Sequence, residues 1–285
     1  MSDSAPRRDT RGIVDPAELL THVRFRRHVP APELRPYLEH YWLIDWELPE
    51  PYATHVVPHP SVNIVFQRYG AIGAPATEAD ASAEVAGIGL DLFTQKLTEA
   101  GRVCGVQFRP GGFRPFAPAW PVSAWTGRRV PLPEVFPGRG DDDMLSGVLS
   151  PDTDHARVAA LDAFLLARDP APDPAADRAM ELVELIRGDR TIRKVSRLSA
   201  ASGLSARSLQ RLFSTHVGVG PKWVILRYRI HEALERAEAA EAGGTPDWAA
   251  LAAELGYSDQ AHLVRDFTAT IGVPPTAYAR GVSVS

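Results

Sequence analysis

A single cysteine, Cys104, stands among 285 residues, which excludes an internal disulfide and any zinc site built from several cysteines. No run of about 18 apolar residues exists, so nothing in the chain reads as a membrane-spanning helix. The opening stretch, Met1 to Asp15, is polar and charged and lacks the apolar segment of a secretory signal. A cytoplasmic protein is the expectation. Also missing are a Gly-rich phosphate loop, a Ser-His-Asp arrangement and paired carboxylates. No catalytic residue and no cofactor is therefore expected.

An overall excess of positive charge is absent too. The formal net charge is −4, which by itself argues against a nucleic-acid partner. The charge is unevenly placed, however. Residues 1–170 hold 17 Lys plus Arg against 22 Asp plus Glu, and residues 171–285 hold 14 against 13. Between Arg187 and Arg229 ten basic residues (Arg187, Arg190, Arg193, Lys194, Arg197, Arg207, Arg211, Lys222, Arg227 and Arg229) meet one acid, Asp189. Such a cluster suits phosphates. Apolar content of 45% and charged content of 23% are those of a soluble globular protein, long enough for about two domains.

A pattern occurs twice near the end. Leu198 to Ser205, then Leu209-Gln210-Arg211-Leu212-Phe213 and Gly218-Val219-Gly220-Pro221, recurs as Leu251 to Ser258, then Leu263-Val264-Arg265-Asp266-Phe267 and Gly272-Val273-Pro274-Pro275. The offset is 53 residues up to the turn and 54 beyond it. Each copy reads as a helix-turn-helix unit. Gly203 or Gly256 can take the positive φ of a tight inter-helix turn, and Ser205, or Ser258 or Asp259, can cap the next helix. Leu209, Leu212, Phe213 and Val217 then fall on one helical face, with Arg207, Gln210, Arg211 and Ser214 on the other. Arg pairs with guanine O6 and N7, and Gln with adenine N6 and N7, each through two hydrogen bonds. The second unit offers Gln260, Ala261, Val264, Arg265 and Thr268, whose small apolar groups suit thymine methyls. Between the units, Pro221 to about Glu241 reads as one helix of roughly 30 Å ending before Gly243-Gly244. That is close to the roughly 34 Å between adjacent major-groove faces on one side of a duplex.

From about Ala176 to Arg280 the chain resembles the DNA-binding domain of the AraC/XylS family of bacterial transcription regulators. The resemblance rests above all on Gly256-Tyr257-Ser258-Asp259-Gln260-Ala261-His262-Leu263-Val264-Arg265-Asp266-Phe267 with Gly272 to Pro275. It implies base contacts at Arg207, Gln210 and Arg211 and at Gln260, Ala261 and Arg265. Ala261 lacks the polar group that many members place there. Phosphate contacts are expected at Arg193, Lys194 and Lys222. Duplex DNA, and RNA polymerase in support of it, are the partners this implies. Some such domains are fused to DNA-repair methyl-acceptor modules, which need several cysteines, and one cysteine excludes that arrangement.

The expected fold class is α+β: a β barrel or sandwich over 20–136, a connector with one helix and a Pro-rich linker over 137–175, and an all-α double helix-turn-helix domain over 176–282. Strands are expected at Thr54 to Val57, Val62 to Phe66, Glu84 to Ile88 and Arg102 to Phe108. The segment Phe25 to Phe136 resembles the β-rich sensor-like domains found ahead of AraC-type DNA-binding domains, through Val57-Pro58-His59 leading into Val62 to Phe66, and through Gly105 to Gly112. Four of the six Trp and seven of the ten Phe lie before residue 137. They could enclose a small apolar or aromatic effector, for which Trp42, Trp46, Phe66, Arg68, Phe108 and Arg109 are candidates, or they could fill a solid core. A constitutive dimerisation module and an enzyme domain are the competing readings. Cys104 reads as a small buried residue. His55 and His59 do not make a metal site without a third ligand, and His40 reads as packed or surface. Asp141-Asp142-Asp143 reads as a solvated loop within a loop-rich stretch from Pro137 to Asp154. In the helix expected over Asp154 to Arg168, the stripe Val158, Leu161 and Leu165 suits either a homodimer contact or packing on the barrel.

Overall fold

The computed structural model describes residues 12–70, 81–137, 141–241 and 246–279. The expected end of the spacer helix at Gly243-Gly244 lies outside them. Nine strands precede the main helical part: β1 (Ile13–Val14), β2 (Val23–His28), β3 (Leu38–Glu47), β4 (Tyr52–Val56), β5 (Asn63–Tyr69), β6 (Ala81–Ala86), β7 (Phe93–Leu97), β8 (Ala100–Phe108) and β9 (Arg129–Pro131). A short helix, α1 (Pro16–His22), lies between β1 and β2. The strands form a three-stranded sheet in the order β1-β4-β7 and a six-stranded sheet in the order β2-β3-β8-β5-β6-β9, with antiparallel pairing throughout. Among the described residues β2 and β9 are the unpaired edges of the large sheet, so the two sheets stack without closing into a barrel.

Strand alternation divides the core. Trp42, Ile44 and Trp46 of β3 point toward the small sheet, where they meet Ile13, Val65, Leu97 and Val103. Tyr41 and Leu43 point the other way, into a cluster with Ile64, Phe66, Cys104, Val106 and Phe108. The two indoles lie flat over β8: a Cβ on Gly105 would stand 1.9 Å from Trp42, and one on Gly101 would stand 2.2 Å from Trp46. These glycines face the tryptophans in register, so a side chain there would have to displace a ring.

The helical face of the large sheet is covered by α2 (Leu132–Val135), α3 (Asp141–Leu149) and α4 (Asp154–Leu166). The backbone at 141–143 opens α3, and Met144, Leu145, Val148 and Leu149 pack toward the sheet. That corrects the loop expected there. Leu161 and Leu165 are fully buried against the same core, so their stripe packs within the chain and is not a free dimer face. A charge cluster clamps α4. Asp45 accepts from Arg102 at 2.6 Å and from Arg157 at 3.1 Å, and Arg26 bridges Asp45 and Asp154. Burial alone would raise the Asp45 pKa, but the hydrogen bonds from Arg102 and Arg26 and the charge of Arg157 hold it below the ordinary value. Cys104 is buried, with its thiol 3.8 Å from the carbonyl of Val148.

The remaining helices are α5 (Pro174–Gly188), α6 (Val195–Ser202), α7 (Ala206–His216), α8 (Pro221–Glu241), α9 (Trp248–Leu255), α10 (Gln260–Ile271) and α11 (Pro275–Tyr278). The apolar cluster of the large sheet continues through α4 and α5 to Leu209 and Phe213 of α7 and Val224 of α8. A second cluster joins α8 to α11 with Val14 and Val57. Both helix pairs are therefore seated on the β-rich part.

Candidate nucleic-acid interface

In the first unit α6 ends at Gly203, whose φ of 72° is the left-handed conformation the turn requires. Ser205 Oγ then accepts from the amide of Ser208 at 3.1 Å, capping α7. Leu209, Phe213 and His216 are buried beneath that helix, while Arg207, Gln210 and Arg211 are exposed and Ser214 is half-buried. The second unit repeats the design with Gly256 at φ 75°, and Asp259, not Ser258, supplies the cap by accepting from His262 N at 2.8 Å. Gln260, Ala261 and Arg265 are exposed on α10, and Val264 and Thr268 are half-buried. The 21 residues of α8 make a spacer about 30 Å long.

The basic run does less at the surface than its count suggests. Arg187 pairs with Glu39 at 3.1 Å and Glu184 at 2.6 Å, and Arg190 with Glu232 at 2.7 Å. Arg227 donates to the carbonyl of Leu90 at 3.0 Å and lies over the Trp223 ring, and burial pulls its pKa down to about 10. Arg229 donates to the carbonyl of Arg193 and lies 5.7 Å from the Tyr257 ring centre. Arg193 itself donates to the carbonyl of Glu254 at 2.6 Å, at the negative end of α9. The guanidinium of Arg193, which is exposed, thus also ties the first unit to the second. Arg187, Arg190 and Arg193 are exposed although engaged in these contacts, and Lys194, Arg197, Arg207, Arg211 and Lys222 are exposed too. Sequence reasoning missed these clamps because backbone carbonyls and distant acids are their partners.

The six effector candidates do not converge. Trp42 and Trp46 lie between the two sheets, whereas Phe66 and Phe108 lie on the opposite face of the large sheet. Arg68 is buried beside Arg102, its partner across the β5–β8 pairing, and Arg109 is half-buried 3.8 Å from Glu184. Trp120, which belongs to the same aromatic group, is 61% exposed. Phe66 lines an apolar recess of about 170 Å³ together with Ala83, Leu132, Pro133, Met144 and Leu145. His55 bonds Thr94 and His59 bonds Ser61, and among the described residues no three His, Cys, Asp or Glu side chains gather as a metal site. Among those residues no helix is long and apolar enough to cross a membrane.

Two capped helix-turn-helix units on one spacer, with Arg and Gln exposed on α7, define the C-terminal part as a DNA-binding domain of a transcription regulator. Residues 198–281 match the family described as a helix-turn-helix domain, here of the AraC type, and residues 26–131 match a domain of unknown function, DUF6597. No curated protein matches the chain. Among solved structures it is similar to ToxT from Vibrio cholerae, with 11% identity and a TM-score of 0.41 over 90% of this chain and 98% of that one. ToxT bound to an unsaturated fatty acid gives 13% identity and a TM-score of 0.40, covering 86% and 97% of the two chains. ToxT with (E)-4-(8-methylnaphthalen-1-yl)but-3-enoic acid gives 12% and 0.41, covering 91% and 99%.

Proposed function

We propose that the protein regulates transcription by sequence-specific binding of duplex DNA, with α7 as the main reading helix and α10 as the weaker one. The observation that carries this is the exposed set Arg207, Gln210 and Arg211 on a capped helix whose other face buries Leu209, Phe213 and His216. Arg211 and Gln210 supply base-edge hydrogen bonds, and Arg207 adds a further donor. Arg193, Lys194 and Lys222, joined by exposed Arg197, are assigned to phosphates. On α10, Arg265 and Gln260 are the polar readers and Ala261, Val264 and Thr268 contribute methyl contacts. Residues 176–282 are the reading part, 20–136 the regulatory part and 137–175 the connection between them. No enzymatic role is assigned, and RNA polymerase is a partner only through the DNA-bound complex.

Purified protein used to capture genomic fragments at about 150 mM salt tests this. Recurrent sites with two half-motifs about one helical turn apart are expected. Fragments recovered no better than bulk DNA would overturn the reading.

A second reading, control by a small effector, is favoured by the apolar recess beside Phe66, which lies on the β-rich part. A ligand at a hundred times its dissociation constant adds about 2.7 kcal/mol of stability, so a thermal-shift screen of apolar metabolites detects it. Loss of the shift in Met144→Trp, which fills the recess, places the ligand there. A shift that survives this substitution places it elsewhere.

A further inference from the structure

We propose that Arg128, on the β-rich part of the chain, contacts the DNA backbone beside the groove that α7 enters. The inference rests on the reading of α7 as a base-contacting helix. That helix is seated against the short 3-10 turn Val122–Trp125. The junction is tight. Gly218, just past the end of α7, has φ 97°, and a Cβ there would stand 3.0 Å from Val122 and 3.1 Å from Ile88 and Thr126. Thr126 Oγ1 donates to the carbonyl of Gly218 at 2.7 Å. The reading face reaches the same place, because the Gln210 carboxamide lies 2.8 Å from where a Cβ of Gly220 would be.

A helix with its side chains is about 10–12 Å across, and the major groove is about 12 Å wide. A helix lying in the groove therefore leaves no room along its flank, and whatever is seated there meets the phosphate wall. Here that element is the Trp125–Arg128 turn. It is held firmly, with Gly127 N donating to Ile88 O at 2.8 Å, Arg128 N to Trp125 O at 2.9 Å and Gly87 N to Arg128 O at 3.0 Å. Its exposed end presents Gly127 and Arg128. Arg129 is paired with Glu84, but the Arg128 guanidinium makes one long hydrogen bond, 3.4 Å to Ala124 O, and among the described residues it has no acidic partner. Exposed Lys222 lies four residues beyond Gly218, in the first turn of α8. The regulatory part then adds to DNA affinity directly while the helix-turn-helix units keep the base contacts.

The test uses the full chain, a labelled duplex carrying a captured site, and a salt series. Arg128→Ala is expected to weaken binding several-fold at about 150 mM salt on specific and non-specific DNA alike, and to lower the slope of log affinity against log salt by about 1. Arg128→Lys is expected to keep the slope. Arg24→Ala, which removes an exposed cation on β2, is expected to change neither quantity, and melting temperatures should match the wild type. Wild-type binding with an unchanged slope and affinity in Arg128→Ala overturns the inference, as does tighter binding, which would mean that the turn obstructs the groove. Absence of wild-type binding overturns the reading of α7 itself, and this inference with it.

Discussion

The duplicated turn contains its own control experiment. Gly203 and Gly256 occupy equivalent positions with φ of 72° and 75°, so alanine at either incurs the same backbone penalty. A left-handed conformation costs an L-residue about 1–2 kcal/mol, partly offset by about 0.4–1 kcal/mol from the less flexible unfolded chain, leaving roughly 1 kcal/mol. The surroundings differ. Nothing lies within 4 Å of a Cβ on Gly203, whereas one on Gly256 would stand 2.1 Å from Cδ of Arg193. Arg193 would have to swing away and release the carbonyl of Glu254, which it now holds at 2.6 Å. For this exposed bond the loss is about 1 kcal/mol. Gly203→Ala should therefore cost about 1 kcal/mol and Gly256→Ala about 2 kcal/mol. At about 2 °C per kcal/mol for a chain this long, the melting temperatures separate measurably. Urea unfolding followed by circular dichroism gives the free energies. In an Arg193→Ala background, Gly256→Ala should cost no more than Gly203→Ala does alone. Equal losses at the two glycines in the wild-type background would refute the clamp.

Asp45→Asn should destabilise the chain by about 3–5 kcal/mol, because it leaves Arg26, Arg102 and Arg157 crowded with one fewer carboxylate. Hydrogen bonding from Arg26 holds the Asp154 carboxyl well below the usual range, and Asp45 is depressed too, so both stabilise the fold above an unfolded pKa of about 4. Wild-type stability should fall as pH drops from about 5 toward 2, and the variant should show a shallower fall; a profile as steep as the wild type's would contradict the cluster's role. Burial pushes the Cys104 thiol up to about 12, so a disulfide reagent at pH 8 should label it only as fast as the chain opens. Prompt stoichiometric labelling of folded protein would contradict that burial.

The helical part was legible because its signals are local. The Gly203 and Gly256 turns, the Ser205 cap and the start of α8 at Pro221 are each decided by residues within a few positions. The β-rich part was legible only in outline. β4, β5, β6 and β8 fall near the expected segments, but β1, β2, β3, β7 and β9 went unrecognised. β3 is covered on both faces, so Tyr41, Trp42, Leu43 and Ile44 show no polar alternation to read. Charge misled in a similar way. The count over Arg187 to Arg229 treats every cation as available, whereas Glu39, the Leu90 carbonyl and the Glu254 carbonyl, far away in sequence, already hold Arg187, Arg227 and Arg193. The effector candidates failed to converge because aromatic content says nothing about which face of a sheet each ring occupies.

The claim that α7 reads more sequence than α10 is tested most directly by selecting duplexes from a randomised pool with the wild-type protein and with Arg211→Ala. Two half-sites are predicted, with the greater information content in the half that Arg211→Ala relaxes, at a cost of about 1–3 kcal/mol for the preferred base. No enriched motif, or a stronger half-site that is indifferent to Arg211→Ala and follows Arg265 of α10 instead, would contradict the account.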